Sequence, residues 1–216
     1  MYIVIAAVAA ILIFITVNIS ASLYYKTENP SWKQLLFHSR VSVIFAAIAA
    51  VALGAAAVIQ HGKIGNYDFF RLFVITTGMA LLCVTDMKEK KLPNKILGIL
   101  LVIWLVMTSI FIITDFQPTI SKVGTALFGC FFCLLTFGIT YIISKKSLGG
   151  GDVKLSMLMG LYLGSERIVA AVLYGAVFSA LFSLIGLLAK KITKKTELPF
   201  GPFLFAGTVI SLFIFV

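Results

Sequence analysis

Runs of about twenty apolar residues follow one another along the chain, separated by short polar stretches that carry most of the charge. A helix needs roughly 20 such residues to cross a hydrocarbon core about 30 Å thick. On that measure 2–23, 41–59, 69–86, 95–114, 123–143, 168–189 and 198–216 read as membrane helices. An eighth run, 153–164, falls well short of a full span at about 1.5 Å per residue. It follows a glycine run that would dip into the bilayer ahead of it, where irregular backbone is tolerated only under a cover of protein or water. The pattern predicts an all-α polytopic transmembrane helix bundle of about eight segments, forming a single integral-membrane domain over 1–216.

Composition agrees with the pattern. The chain is 61% hydrophobic and 12% charged, with mean hydropathy +1.09, whereas a soluble domain is about half apolar and about a quarter charged. The net charge of +10 raises the question of nucleic acid, and the placement of the charge answers it. Most Lys and Arg lie in the loops after the first, third, fifth and seventh segments. Only Lys63, Arg71, Lys122 and Arg167 fall on the other side. This is the positive-inside asymmetry. It predicts both termini outside, a multi-pass protein of the cytoplasmic membrane, membrane lipids as partners and no nucleic acid. Lys145, Lys146 and Lys154 are expected to meet anionic headgroups. The run 2–23 lacks a basic start and a small-residue cleavage site, so it reads as a retained helix. Cys83, Cys130 and Cys133 all fall inside apolar runs. The C-x-x-C at 130–133 has no second pair to complete a zinc site, so no metal or other cofactor is expected.

Against this background two acids stand out. Asp86 ends an apolar run in VTDMKEKKLPN, and Asp152 closes the glycine run in SLGGGDVKL. An ionisable residue at membrane depth is costly and marks a candidate functional site. Lysine placement alone brings both to the cytoplasmic face, where two carboxylates can share a proton and activate water. The other acids read as solvated: Glu28, Asp68, Asp115, Glu166 and Glu197 in predicted loops, Glu89 among lysines. His38 and His61 fall on opposite predicted sides, and no H-E-x-x-H is present. Asp152 also reads as the N-cap of the helix that follows. Gly149, Gly150 and Gly151 would allow left-handed backbone angles and close approach of a substrate strand. From the helix ends they occupy, Asp152 is expected to rest as the base and Asp86 as the acid.

The pattern D-x-x-x-x-x-L-P-N over Asp86, Leu92, Pro93 and Asn94, together with G-G-G-D-V-K-L at 149–155, resembles the type IV prepilin leader peptidases, which are G-x-G-D membrane aspartic proteases. LPFGPFLFAG at 198–207 is similar to that family's C-terminal segment, and Ser31-Trp32 to residues after an insert in longer members. The likeness covers about 70–216, dividing the chain into motif-free N-terminal helices (1–68) and a peptidase core (69–216). It implies removal of a short basic leader from prepilins, pseudopilins or similar substrates, ahead of their hydrophobic N-terminal helix, at the cytoplasmic membrane face. It makes Asp86 and Asp152 the catalytic pair and Gly149 and Gly151 the motif glycines, with Gly150, Pro93 and Asn94 shaping the loop or binding substrate. Larger members carry a cytoplasmic insert with two C-x-x-C pairs and also N-methylate the pilin. The corresponding loop here, YYKTENPSWKQLLFHSR, has no cysteine, so methyl transfer is not expected. Two other classes are compatible with paired membrane acids: a proton-coupled transporter component, which should show an internal repeat and mid-membrane acids, and a non-catalytic secretion-system scaffold.

Overall fold

A computed structural model describes residues 11–13, 15–19, 40–59, 65–90, 92–143, 148–190 and 198–214, and among these every regular element is a helix. The helices are α1 (Arg40–Ile59), α2 (Asn66–Glu89), α3 (Asn94–Thr114), α4 (Phe116–Ile143), α5 (Gly150–Leu188) and α6 (Gly201–Ile214). Residues 11–13 and 15–19 are helical as well. By length and composition α2, α3, α4 and α5 can each cross a membrane, while α6 and the apolar stretch of α1 are shorter. Most of the predicted run 2–23, the cysteine-free loop with Ser31, Trp32 and His38, and also Glu28, His61, Lys145, Lys146 and Glu197 lie outside the described residues.

The apolar runs become helices because lipid offers backbone groups no partners, so each must be satisfied within its own helix. Elements end where the sequence prevents continuation. Lys90 caps α2 in the left-handed conformation (φ 51°, ψ 37°), its amide bonded to the Asp86 carbonyl. Pro93 then fixes an extended residue ahead of α3 (φ −65°, ψ 120°), consistent with its ring locking φ.

Helix α2 is the central element. Leu72, Ile75, Met79, Ala80, Leu82, Cys83 and Val84 along it are all buried. The other long helices turn broad apolar faces outward, as at Ile113 (84% exposed), Ile142 and Leu188 (each 75%). Such a surface suits lipid rather than water.

Association in lipid relies on close packing and on hydrogen bonds between helices, because lipid tails are as apolar as the side chains. Both are present. Gly129 of α4 lies against Gly160 and Gly164 of α5, and Gly207 of α6 lies against Ala171 and Gly175. Trp104 Nε1 donates to the Leu161 carbonyl at 3.1 Å, and the Tyr162 hydroxyl donates to the Leu100 carbonyl at 2.6 Å. Those two bonds join α3 to the first half of α5.

The short run 153–164 and the run 168–189 form a single element, broken inside by Gly164 (φ 73°, ψ 176°). The chain reverses there. Before the break, Lys154 lies beside Asn94 and Leu161 beside Trp104, so this half runs alongside α3. After it, Ala171 meets Gly207, Gly175 meets Leu204 and Phe182 meets Phe203, so this half runs antiparallel to α6.

Asp68 corrects an expectation. It lies inside α2, not in a solvated loop. It is buried (8% exposed) and paired with Arg71 and with Lys122 of α4. The helix starts at Asn66, three residues before the predicted span, and one of the two cations paired with Asp68, Lys122, comes from a distant helix. Glu166 likewise lies within α5; it is exposed. The bundle thus has two polar ends. Asp68, Arg71, Lys122 and Gly164 gather at one, and Asp86 lies at the other, about 22 Å along α2 from Arg71 at 1.5 Å per residue.

Candidate active site

Asp86 and Asp152 line one cavity of about 390 Å³, together with Lys90, Leu92, Asn94, Gly149, Gly150, Gly151 and Lys154. They are near enough for the charge of Asp86 to act on Asp152. The two come from different helices, Asp86 from the last turns of α2 and Asp152 from the first turn of α5. Asp86 is buried, with 5% of its surface exposed, and Asp152 is half-buried.

Each carboxylate accepts one backbone amide. The Gly201 N–H donates to Asp86 Oδ2 at 2.8 Å. Gly201 is the first residue of α6, so its amide is one of the helix's unpaired donors. Pro202 within that first turn costs nothing, since its missing N–H would also have been unpaired. The Gly149 amide donates to the Asp152 carboxylate. Asp152 is therefore not the N-cap residue. Gly149 holds that position, and Asp152, three residues on, reaches back to it as the acidic half of a capping box.

These contacts alter the electrostatics expected from sequence. Asp86 lies near the C-terminus of α2 but also faces the N-terminus of α6. Helix-end position therefore does not distinguish the two carboxylates.

The three glycines differ in what they permit. A side chain at Gly149 would come within 2.9 Å of Asp152 Oδ2, and one at Gly151 within 3.0 Å of the Leu92 Cβ; at Gly150 it would meet no atom within 4 Å. None of them has positive φ. Their value in this structure is close approach, not left-handed backbone. Pro93 and Asn94 start α3 at the cavity rim. Asn94 Oδ1 accepts from Lys154 Nζ at 2.9 Å, so Lys154 ties the starts of α3 and α5 together. Among the described residues no group of three or more His, Cys, Asp or Glu gathers as a metal site would require.

Gly201 is the contact that the sequence reading missed. The segment 198–207 was singled out only for its likeness to a family segment. A glycine followed by proline at the head of an apolar run does signal a helix start. Nothing local says that the start points at a residue 115 positions away.

The fold and site define a class, namely an integral-membrane helical protein with two acidic side chains on one cavity at one end of its bundle. The chain matches the type IV leader peptidase family over residues 73–184, more than half its length, and belongs to that family. It is 26% identical over 174 residues to the prepilin leader peptidase/N-methyltransferase of Bacillus subtilis (strain 168), covering 80% of this chain and 66% of that protein. It is 27% identical over 180 residues to the protein of that name from Escherichia coli (strain K12), covering 83% and 76%. The counterpart from Pseudomonas aeruginosa is 24% identical over 146 residues, and the match spans about half of its length, 48%. No solved structure matches the chain.

Proposed function

We propose that this protein is a membrane aspartic endopeptidase that removes the leader from prepilins or prepilin-like proteins at the cytoplasmic face of the cell membrane. The observation that carries the reading is the convergence of Asp86 and Asp152 on one cavity, from separate helices, at the same end of the bundle. One carboxyl is ionised and takes a proton from the water that attacks the scissile carbonyl. The other is protonated and donates to the carbonyl oxygen. As the tetrahedral intermediate collapses and the C–N bond breaks, the leaving amine takes the proton that the first carboxyl received from the water. General acid–base catalysis of this kind contributes about 10²–10⁴-fold. The Gly201 and Gly149 amides each occupy a lone pair of one carboxylate, orienting the remaining lone pairs toward the cavity.

The positive-inside asymmetry puts this end at the cytoplasm. It fits eight segments, with the halves of α5 counted as two and the helical residues 11–13 and 15–19 taken as part of one more. The relatives' names pair peptidase with N-methyltransferase. We assign only cleavage, because the loop that carries paired C-x-x-C motifs in larger members has no cysteine here.

The test is incubation of the purified protein with a prepilin in detergent. A shortened product is expected from the unmodified chain, and none from Asp86→Asn or Asp152→Asn although both remain folded. Substantial cleavage by either variant ends the aspartic reading. Absence of cleavage by the unmodified chain would favour a scaffold or transporter.

A further inference from the structure

Two apolar grooves flank α3, and only one of them leads to the aspartates. The first, about 320 Å³, is lined by Asn94, Leu97, Gly98 and Leu101 of α3, by Met157, Leu158 and Leu161 of α5, and by Cys130 of α4 at its back. It shares Asn94 and Lys154 with the aspartate cavity. The second, about 530 Å³, lies between α2 and the opposite side of α3, with Ile96, Ile99 and Ile103 among its walls. It shares no lining residue with the aspartate cavity.

We infer that the groove between α3 and the first half of α5 seats the hydrophobic helix of the substrate, with the end to be cut lying at Asn94 and Lys154. This inference rests on the proposed peptidase reading and adds the substrate's docking surface to it. Three observations carry it. The groove is continuous with the aspartate cavity, so a helix in it delivers its polar end to Asp86 and Asp152. Its lining changes from polar to apolar in the direction such a substrate requires, from Asn94 and Lys154 to Leu101 and Leu161, about 10 Å deeper at 1.5 Å per residue. At the groove wall, a side chain added to Gly98 would meet no protein atom within 4 Å. A small residue there lets a second helix approach the backbone of α3 closely, as small residues do where helices associate in lipid. The walls are already tied together by the Trp104–Leu161 and Tyr162–Leu100 hydrogen bonds, so the groove is preformed.

The test compares adjacent residues on opposite faces of α3. In vesicles with a full-length prepilin, Gly98→Phe fills the groove and should raise KM about tenfold, the scale of a misfit in an apolar pocket, with kcat little changed. Ile99→Phe, facing the second groove, should leave both constants near those of the unmodified chain. Equal effects of the two substitutions, or a loss confined to kcat, would overturn the inference. If Gly98→Phe fails to fold, Gly98→Cys and Thr77→Cys (the latter on the second groove) replace it. Each is made in an Asp86→Asn chain whose native Cys83, Cys130 and Cys133 are replaced by Ala, and is oxidised with a prepilin carrying one cysteine in its apolar helix. A crosslink from position 98 and not from 77 supports the inference. No crosslink at 98, leaving the groove to lipid, overturns it, as does a crosslink at 77 alone or equal crosslinking at both positions. The crosslink reads binding without cleavage, so its failure is distinct from failure of the peptidase reading, which shows as no product from the unmodified chain.

Discussion

At the scale of single residues, the site depends on how closely backbone approaches carboxylate. The two aspartates were legible in the sequence because a charge beside a long apolar run has few structural explanations. Of the amides beside them, Gly149 lies three residues from Asp152, whereas Gly201 reaches Asp86 only through a contact between distant chain segments. Gly201 is the sharper case. A Cβ there would sit 2.8 Å from Asp86 Oδ2 and 3.4 Å from its Cγ, so Gly201→Ala has to displace the carboxyl or the start of α6. A displacement near 1 Å can cost about 10²-fold in rate, and a loss of that order in kcat for prepilin cleavage is expected. Gly150→Ala meets nothing within 4 Å and should retain most activity. The pair of assays separates the glycine that shapes the site from the one that only neighbours it. Asp152 was placed one role away from its observed one. The reading made it a cap, and the structure makes it the partner of a cap, because helix boundaries are the least local part of the pattern.

At the scale of elements, run length correctly announced a short segment at 153–164 but could not show what its end does. Gly164 turns α5 back on itself in a backbone region that is essentially glycine-only, where another residue costs about 1–3 kcal/mol. Gly164→Ala should therefore lower the unfolding free energy by about that amount in a detergent thermal or denaturant titration. The Gly129–Gly160 crossing makes a second, separable demand. A Cβ at Gly160 would fall into the backbone of Gly129 and Cys130, and neither can yield as a flexible side chain would. Gly160→Ala should destabilise by about 1–3 kcal/mol, the range for overpacking a close interface, without altering the residues around the aspartates. These glycines were invisible to hydropathy, which scores them as mild interruptions. The same method misassigned Asp68, because burial beside Arg71 and Lys122 depends on which helices become neighbours.

At the scale of the whole molecule, the bundle segregates its chemistry. Asp86, Asp152, Asn94 and Lys154 lie at one end, and Asp68, Arg71 and Lys122 at the other. Lysine placement predicts which end is cytoplasmic, and single-cysteine labelling checks it. In intact cells an impermeant maleimide should label Asp115→Cys and Glu166→Cys but spare Lys90→Cys, which becomes reactive in inverted vesicles. The opposite pattern would put the aspartates on the wrong face for leader removal. The reversal at Gly164 has one more consequence. The first half of α5, from Gly150 to the break, is about 21 Å long at 1.5 Å per residue, against a hydrocarbon core of about 30 Å. Leu158 to Gly164, the end of that half, is buried inside the bundle, so protein and not lipid covers the turn, as irregular backbone at membrane depth requires. The turn is thereby insulated from the surrounding lipid: the loss of thermal stability caused by Gly164→Ala should be the same in matched vesicles of short-chain and long-chain lipids.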